Sequence, residues 1–393
     1  MPNAADSVVI VGAARTPMGG FQGDLKEKTG PELGAAAIRA ALQRSGLPAD
    51  AVDEVLMGCV LPAGAGQAPA RQAAIGAGLP QAVGAATVNK VCGSGMKTVM
   101  LAHDSILAGT NRIVIAGGME SMTNAPYLLP KARGGFRLGH GEVKDHMFLD
   151  GLEDAYDKGR LMGTFAEDTA QHFQFTRAAQ DDYALESLRR AKAAVEGGFF
   201  KGEIVPVAVK GREIVDDEQP LKADPAKIRA LKPAFRADGT VTAANSSSIS
   251  DGGAALVLMR RGDAEKRGLT PLARIVGHAT HAQAPAWFTT APVGAMQKLF
   301  AKTGWSAESV DLFEINEAFA VVSMAAMREL ALPHEKVNVH GGACALGHPI
   351  GCSGARLIVT LLAALQKYGK TRGVASLCIG GGEATALAIE RLH

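Results

Sequence analysis

The sequence predicts a layered α/β fold made of two related halves, with a further segment inserted into the first half. Three observations support this prediction. Short apolar runs alternate with helix-length amphipathic runs, several segments recur in order at a nearly constant spacing, and the middle third of the chain differs in composition. The chain has 393 residues, too many for one compact core, so we expect two or three structural units.

The alternation is clearest near the start of the chain. Residues 7–13 (SVVIVGA) are an apolar run typical of a buried strand, and residues 31–46 are an amphipathic run ending at a glycine, typical of a helix C-terminus. Residues 52–60 are strand-like again, and we predict two later strands at 252–261 and 272–280. This pattern predicts helices packed on a sheet.

An internal repeat relates the two ends of the chain. Residues 46–58 (GLPADAVDEVLMG) resemble residues 304–316 (GWSAESVDLFEIN), and the helix-like segments before them are also similar. Two later pairs follow in the same order, 94–97 (SGMK) with 353–356 (SGAR) and 113–121 (IVIAGGMES) with 376–384 (SLCIGGGEA). The offset drifts only from 258 to 263 residues, which favours two related halves over chance similarity.

The first half is interrupted by residues 121–249. This segment holds nearly half of the charged residues and more than half of the aromatic residues in a third of the chain. We therefore predict an inserted loop or cap domain at 121–249. The N-terminal α/β half then comprises residues 1–120 plus 250–271, and the C-terminal α/β half comprises residues 272–393.

Composition limits the classes of function. The formal net charge is +2, so we expect no nucleic-acid partner, and we find no apolar run long enough to predict a membrane partner. Five cysteines are too few and odd in number for a disulfide framework, which favours free thiols in a reducing compartment. With no recognisable leader or sorting signal, we expect a cytoplasmic protein.

Cys92 is the first candidate for chemistry. The segment NKVCGSGMK (89–97) places it between a strand-like run and a helix-like run. The helix N-terminus favours a thiolate, and Gly93 and Gly95 are expected to leave room for a ligand. The alternative is a buried, inert cysteine.

A glycine-rich segment supplies the second candidate. In VHGGACALGHPIGCSG (339–354), His340, Cys344, His348 and Cys352 recur every four residues, as metal ligands on a helix would. Five glycines and a proline in the same window argue against a regular helix, so we predict no metal site. An irregular loop that presents His348 near a helix N-terminus is favoured, with a structural histidine as the alternative.

Two strand ends complete the set of candidates. FEINEAFA (313–320) places Asn316 and Glu317 after a strand, where α/β proteins put their sites, although Asn316 could equally cap a helix. LCIGGGEA (377–384) places Cys378 before three glycines whose N–H groups could face an anion. The absence of a P-loop or a complete dinucleotide fingerprint argues against nucleotide hydrolysis and hydride transfer.

Together these motifs resemble the thiolase family of acyl-CoA acyltransferases along essentially the whole chain. The matching segments are VIVGAARTPMG (9–19), NKVCGSGMK, GGMESM (117–122), NEAFA, GHPIGCSG and CIGGG. The resemblance implies a two-halved fold with an inserted loop domain. It also implies the reversible condensation of two acetyl-CoA molecules to acetoacetyl-CoA and coenzyme A.

The resemblance implies a role for each catalytic candidate. Cys92 would carry the acyl group, and His348 would take its proton. Cys378 would be the second base, and Asn316 would hold a water that stabilises an enolate oxygen. The N–H groups of Cys92 and Gly380 would form an oxyanion hole.

It also implies where the substrate binds. Ser247 matches a contact beside the pantetheine, and Met162 and Phe319 match residues lining the acyl pocket. Lys222 and Arg229 are proposed as phosphate contacts from charge and location alone, with a solvated face as the alternative. We expect coenzyme A thioesters as substrates and no permanently bound cofactor.

Further implications concern assembly and specificity. The resemblance implies a homotetramer, a dimer of dimers, acting in fatty acid metabolism. A degradative 3-ketoacyl-CoA thiolase of broader chain length remains the nearest alternative, because Leu161-Met162 and Glu383 depart from common family residues. A decarboxylating ketoacyl synthase would carry histidine at Cys378, and a catalytically silent coenzyme A or lipid binding protein would lack a catalytic residue.

Overall fold

The computed structural model describes residues 6–392. Within this range the chain forms fourteen strands, ten of which share one sheet. The strands are β1 (Val8–Arg15), β2 (Gly19–Gly20), β3 (Glu54–Gly58), β4 (Gly84–Val88), β5 (Ile113–Ser121), β6 (Tyr127–Leu128), β7 (Lys144–Asp145), β8 (Val207–Val209), β9 (Arg212–Ile214), β10 (Ser250–Arg260), β11 (Ala273–Ala282), β12 (Leu312–Ile315), β13 (Arg372–Ile379) and β14 (Glu383–Arg391).

Twelve α-helices accompany the strands in the described range. They are α1 (Gly30–Ser45), α2 (Pro69–Gly76), α3 (Ser94–Leu107), α4 (Met162–Phe173), α5 (Arg177–Glu196), α6 (Glu218–Lys222), α7 (Pro225–Ile228), α8 (Arg261–Lys266), α9 (Ala291–Thr303), α10 (Ala320–Glu329), α11 (Ala343–Leu346) and α12 (Ile350–Lys367). Thr29 and Glu32 form a capping box at the start of α1. Gly46 ends α1 in the left-handed conformation, so the predicted helix stop is confirmed.

The central sheet runs through both halves in the order β12-β13-β14-β11-β1-β10-β5-β3-β4, with β2 beside β10. The first half contributes β1 to β5 and β10, and the second contributes β11 to β14. They meet where β1 pairs with β11, at Val9–Arg274 and Ile10–Ala273. The predicted strands at 7–13, 52–60, 252–261 and 272–280 are all confirmed.

The helices form layers on both sides of the sheet. Side chains alternate along β1, so that Val8 and Ile10 join one core, and Val9 and Val11 join another. The first core lies between the two halves and contains α3 and α12. On the outer faces, α1 and α2 cover the first half and α9 and α10 cover the second. The predicted α/β class with two related halves is confirmed.

The repeated segments adopt the same local structure. Gly46 ends α1 and Gly304 ends α9, both with a φ of 72°, and each is followed by a short connection to a strand. The Ser-Gly pairs both lie at the N-terminal ends of helices, α3 and α12. The sequence repeat therefore reflects a structural repeat.

Helices α3 and α12 approach each other closely through glycine. A Cβ atom on Gly95 would lie 2.8 Å from the Ala355 nitrogen, and one on Gly354 would lie 2.3 Å from the Met96 nitrogen. Such distances are shorter than any side chain allows, so glycine at both positions permits backbone contact. The N-termini of the two helices, and the turns before them, are brought side by side.

The segment between β5 and β10 contains two small hairpins, β6–β7 and β8–β9, and helices α4 to α7. It is joined to the first half by the fully buried Arg15 guanidinium, which pairs with Glu203 at 2.5 Å and Asp217 at 2.6 Å. Buried charges of this kind are stable only when paired and hydrogen-bonded. The domain limits drawn from the sequence stay a prediction.

Helix α12 is long and apolar enough to span a membrane by length and composition alone, although no apolar run of that length was predicted. In the structure, 83% of it is buried inside the protein. Its apolar side chains pack in the core between the two halves. Its composition is therefore explained by packing.

Candidate active site

Cys92 lies in a tight turn between β4 and α3. Val91 adopts the left-handed conformation at φ 46°, which costs a β-branched residue about 1–3 kcal/mol. Two side chains hold this conformation. Asn89 Oδ1 accepts the Val91 N–H at 2.9 Å, and Ser94 Oγ donates to the Val91 carbonyl at 2.7 Å. The strained turn presents the thiol beside the start of α3.

Gly93 and Gly95, which follow Cys92, allow residues of the second half to pack closely against them. A Cβ on Gly93 would lie 2.4 Å from Ile379 Cδ1, and Gly95 faces the backbone of α12. The expectation that these glycines leave space for a ligand is therefore wrong. They allow the second half to pack directly against the Cys92 turn.

His348 is held in one tautomer by the start of α12. Its backbone N–H donates to the Ser248 carbonyl at 3.1 Å. Ser353 Oγ donates to the Pro349 carbonyl at 2.9 Å, so it accepts the proton of His348 Nδ1 at 2.5 Å. The Nε2 atom of the neutral ring is left free to accept a proton.

Asn316 follows β12 and approaches the same ring. Its Nδ2 lies 3.4 Å from His348 Nε2, and its Oδ1 is buried without a hydrogen-bond partner among the described residues. Helix α10 begins only at Ala320, with Phe319 as its N-cap, so Asn316 does not cap it. The neighbouring Glu317 instead accepts hydrogen bonds from Tyr183 and Ser187 and has a structural role.

Cys378 and Gly380 come from the end of β13 and the turn that follows. Cys378 is fully buried, and burial and then the charge of Cys92 raise its pKa well above the ordinary value. The N–H groups of Gly380 and of Cys92 itself lower the pKa of the Cys92 thiol. Two backbone donors from different halves are thus directed at one sulfur atom.

Burial determines the resting charges of Cys92 and His348. It raises the pKa of Cys92 to about 11 in spite of those two N–H groups. Burial, together with the charge of Arg356, lowers the pKa of His348 to about 3. The resting site at neutral pH is a thiol beside a neutral imidazole. The expected thiolate is therefore wrong for the resting site, because desolvation outweighs the two backbone N–H groups.

Glu120 joins the loop after β3 to the start of α12. Its buried carboxylate accepts the N–H groups of Val60 at 2.9 Å, Leu61 at 3.1 Å and Gly351 at 2.9 Å. Burial raises the pKa of Glu120 to about 7, although these hydrogen bonds lower it. The carboxylate connects the first half to the start of α12.

The candidate residues surround one cavity of about 370 Å³. Four catalytic candidates line it, namely Cys92, His348, Cys378 and Gly380. The three proposed substrate contacts Ser247, Met162 and Phe319 line it as well. Asn316 does not line the cavity, but its side chain contacts His348, which does. The structure thus brings together residues from both halves and from the inserted segment.

Several lining residues were not anticipated. Apolar walls are added by Phe148, Leu152, Phe235, Phe288 and Ile350. The sequence offered little signal for them, because isolated aromatic residues in an irregular segment have no characteristic spacing. Ser353 was also missed, although its match to Ser94 in the internal repeat could have indicated it.

Lys222 and Arg229 lie outside this cavity and are already paired. Lys222 contacts Glu218, and Arg229 contacts Asp182. Both cations are more than half exposed. Lys222 lines a second cavity of about 310 Å³ that shares Ser248 with the first one. Arg229 lines neither cavity, so its prediction as a contact has no support in the geometry.

The four-residue stripe of possible metal ligands does not converge. His340 is buried beside the rings of Phe199, Phe200 and Tyr368, and Cys352 lies in the central core. A separate group within residues 6–392 consists of His103, Asp104 and His278, and both imidazoles there face the Asp104 carboxylate. It has no contact with the cavity.

Two family models together cover nearly the whole chain. The model "Thiolase, N-terminal domain" matches residues 8–262, and "Thiolase, C-terminal domain" matches residues 269–391. Among curated proteins, "Acetyl-CoA acetyltransferase 2" of Arabidopsis thaliana is 53% identical over 98% of this chain and 97% of its own length. "Acetyl-CoA acetyltransferase" of Escherichia coli is 50% identical over 98% and 99%.

Solved structures agree with these matches. The Acat5 thiolase from Ascaris suum, in complex with coenzyme A, has a TM-score of 0.94 at 42% identity, covering 98% of this chain and all of that one. The acetyl-CoA acetyltransferase of Bacillus anthracis has a TM-score of 0.95 at 43% identity, covering 99% of this chain and all of that one. The nucleophile turn, the two-halved fold and these full-length similarities show that the chain belongs to the thiolase family.

Proposed function

We propose that this chain is an acetyl-CoA C-acetyltransferase that condenses two acetyl-CoA molecules to acetoacetyl-CoA and coenzyme A, and also catalyses the reverse thiolysis. The observation that carries the proposal is the convergence of Cys92, His348, Cys378 and Gly380 on one cavity. Full-length relatives named for this activity support it.

In the first step the Cys92 sulfur attacks the thioester carbonyl of one acetyl-CoA. The thiol proton passes to His348 Nε2, which the Ser353 contact keeps free to accept it. The N–H groups of Cys92 and Gly380 stabilise the negative oxygen of the tetrahedral intermediate, and one such donor contributes about 3–4 kcal/mol. Collapse releases coenzyme A with the proton from His348 and leaves acetyl-Cys92.

In the second step the Cys378 thiol first gives its proton to solvent, and the resulting thiolate acts as a base toward the α-carbon of the second acetyl-CoA. Burial makes its thiolate costly, and a charge on Cys92 makes it costlier. Once Cys92 is a thioester it carries no charge, so the second obstacle is removed. Asn316, with a water at its unpaired Oδ1, stabilises the enolate oxygen. The carbanion attacks the acetyl carbonyl, the sulfur–carbon bond to Cys92 breaks, and Cys378 gives the abstracted proton to the leaving Cys92 thiolate.

The inserted segment would hold the body of coenzyme A. Its residues Ser247 and Met162, together with Phe319 of the second half, line the inner cavity, where the pantetheine and the acyl group would lie. The adjoining cavity is lined by Lys222 and Lys227, whose ammonium groups pair with Glu218 and Asp224 and would turn to the phosphates when coenzyme A binds. Arg229 is not part of this proposal.

The activity is tested by replacing the nucleophile. Wild-type protein should be acetylated by acetyl-CoA at Cys92 and should cleave acetoacetyl-CoA, and Cys92→Ser should lose both activities. Retained turnover in Cys92→Ser would refute the mechanism. A profile over acetoacetyl-CoA, 2-methylacetoacetyl-CoA and longer 3-ketoacyl-CoAs tests the substrate, and equal turnover of long chains would favour a degradative thiolase.

We also propose a homotetramer built as a dimer of dimers. The hairpin of β6 and β7 and its loop expose Tyr127, Leu129, Leu138 and Val143, and Leu138 is 97% exposed. An apolar projection of this kind is typical of an interface. Light scattering should give the mass of four chains, and Leu138→Asp should give smaller assemblies.

The compartment and the metabolic role are proposals as well. Five free cysteines suit a reducing cytoplasm. Acetoacetyl-CoA is a 3-ketoacyl thioester, so we place the reaction in fatty acid metabolism. Cell fractionation and growth of a deletion strain on short-chain fatty acids test these two points.

A further inference from the structure

Two turns from different halves meet beside the reactive sulfur. One contains Cys92, and the other contains Gly380 to Gly382 between β13 and β14. The Gly380 N–H acts on the Cys92 sulfur, and the residue before it, Ile379, packs against Gly93. A shift of either turn therefore changes the position of an oxyanion donor relative to the nucleophile.

Both turns contain residues outside regular geometry, although the Ile379–Glu383 pair of the β13–β14 ladder closes the second one. Val91 has a φ of 46°, and Gly381 and Gly382 have φ values of 90° and 89°. These left-handed conformations lie outside helix and strand geometry. The bonds from Asn89 and Ser94 hold the first turn, but both residues belong to the first half. They do not set the distance to the second turn.

An ion pair joins the two turns. The Lys90 ammonium, two residues before Cys92, pairs with the Glu383 carboxylate, three residues after Gly380. The side chains are only 21% and 36% exposed, so solvent screens the pair incompletely. Its ends lie on the two segments whose separation matters for catalysis.

The internal repeat gives this pair a counterpart. Glu120 occupies the position in the first half that Glu383 occupies in the second. It accepts the N–H of Gly351, which is the residue equivalent to Cys92 in the opposite half. Both acids thus connect their own strand end to the turn of the other half. Glu120 makes this connection from a buried position, whereas Glu383 makes it from a partly exposed one.

From this placement we infer that Lys90 and Glu383 are positioning residues for the reaction. Their ion pair holds the Cys92 turn against the Gly380 turn and thereby sets the spacing of the two oxyanion donors. Neither side chain lines the substrate cavity, so the pair acts on the chemical step and leaves substrate affinity largely unchanged. The inference rests on the function proposed above.

The test compares single and reciprocal variants in acetoacetyl-CoA thiolysis. Lys90→Met and Glu383→Gln should each lower kcat about tenfold with KM changed less than twofold, because a small displacement of reacting groups has large effects on rate. The double variant Lys90→Glu with Glu383→Lys should recover kcat to within about threefold of wild type. Lys210→Met, which breaks an exposed ion pair with Glu27, is the matched control and should leave kcat unchanged.

The outcomes separate the inference from the proposed function. Wild-type protein without thiolase activity would refute the function, whereas active wild type with unaffected single variants would refute the positioning role. A reciprocal variant as slow as the singles, or slower, would refute the ion pair as the cause. If Lys90→Met fails to fold, Glu383→Gln alone decides, since it keeps the size of a partly exposed side chain.

Discussion

The two turns that start α3 and α12 occupy equivalent positions and present different chemistry. Aligned on the repeated Ser-Gly pair, Asn89 falls opposite His348, and Cys92 falls opposite Gly351. Asn89 closes its own turn, whereas His348 faces Asn316. The turn before α3 therefore supplies a nucleophile and the turn before α12 supplies a base, through different residues at the two ends of the turn.

The equivalent serines Ser94 and Ser353 also have different roles in the two halves. Ser94 Oγ accepts the Lys90 N–H at 2.8 Å and donates to Val91, so it stabilises backbone. Ser353 Oγ donates to backbone but also fixes the His348 ring. A residue retained at one repeat position thus shapes a turn in one half and sets a tautomer in the other.

The largest effect is expected from making the second turn resemble the first. His348→Asn keeps a polar side chain but removes the proton acceptor, so kcat for thiolysis should fall about 1,000-fold. The exposed residue His140 offers a control, and His140→Asn should be as active as wild type. A loss of less than tenfold in His348→Asn would mean that another group takes the Cys92 proton.

A second prediction concerns the contact between the two helices. Gly354→Ala forces a methyl group against the Met96 backbone, so we expect a loss of about 3 kcal/mol in the free energy of unfolding. Gly95→Ala has a longer closest approach and should cost less. Gly134→Ala, which meets no atom within 4 Å, is the control. Denaturant unfolding measures all three, and equal stabilities would contradict the close contact.

A third prediction uses the buried acid Glu120. Its pKa is about 7 in the folded protein against 4.5 ordinarily, so its contribution to stability is complete below about pH 4.5 and is lost as the pH rises through 7. The stability of wild type relative to Glu120→Gln should therefore fall by about 3 kcal/mol between pH 4.5 and pH 8. Unfolding of both proteins across this range checks the sign, and a constant difference would show that Glu120 ionises normally.

The smallest expected effects concern the equivalent serines Ser353 and Ser94. Ser353→Ala frees the His348 ring to change tautomer, so kcat should fall about tenfold. It also removes the contact with the Pro349 carbonyl, so the free energy of unfolding should fall by about 1 kcal/mol. Ser94→Ala removes backbone contacts and should lower the free energy of unfolding by about 1 kcal/mol. Paired kinetic and unfolding measurements distinguish the roles. The same loss of kcat in both variants would remove the distinction.

Much of the site could be predicted because chemistry-bearing residues stand at strand ends. Cys92 and Asn316 follow strands, and Cys378 lies near the end of one. The repeat indicates that two such ends meet. The glycines were misjudged because their neighbours come from the other half, which no local pattern reveals. For Lys222, the acid four residues earlier on the same helix was a visible signal of pairing. For Arg229 no such signal was visible, because its partner Asp182 is 47 residues away.

The glycine-mediated contact of α3 and α12 has a consequence for the order of events during folding. The thiol and the imidazole belong to different halves, and the oxyanion donors are likewise divided between them. A chain with only one half formed has a cysteine without its base, or a base without its cysteine. Catalysed acyl transfer therefore requires the two halves to dock, so an incompletely folded chain does not turn over acyl-CoA.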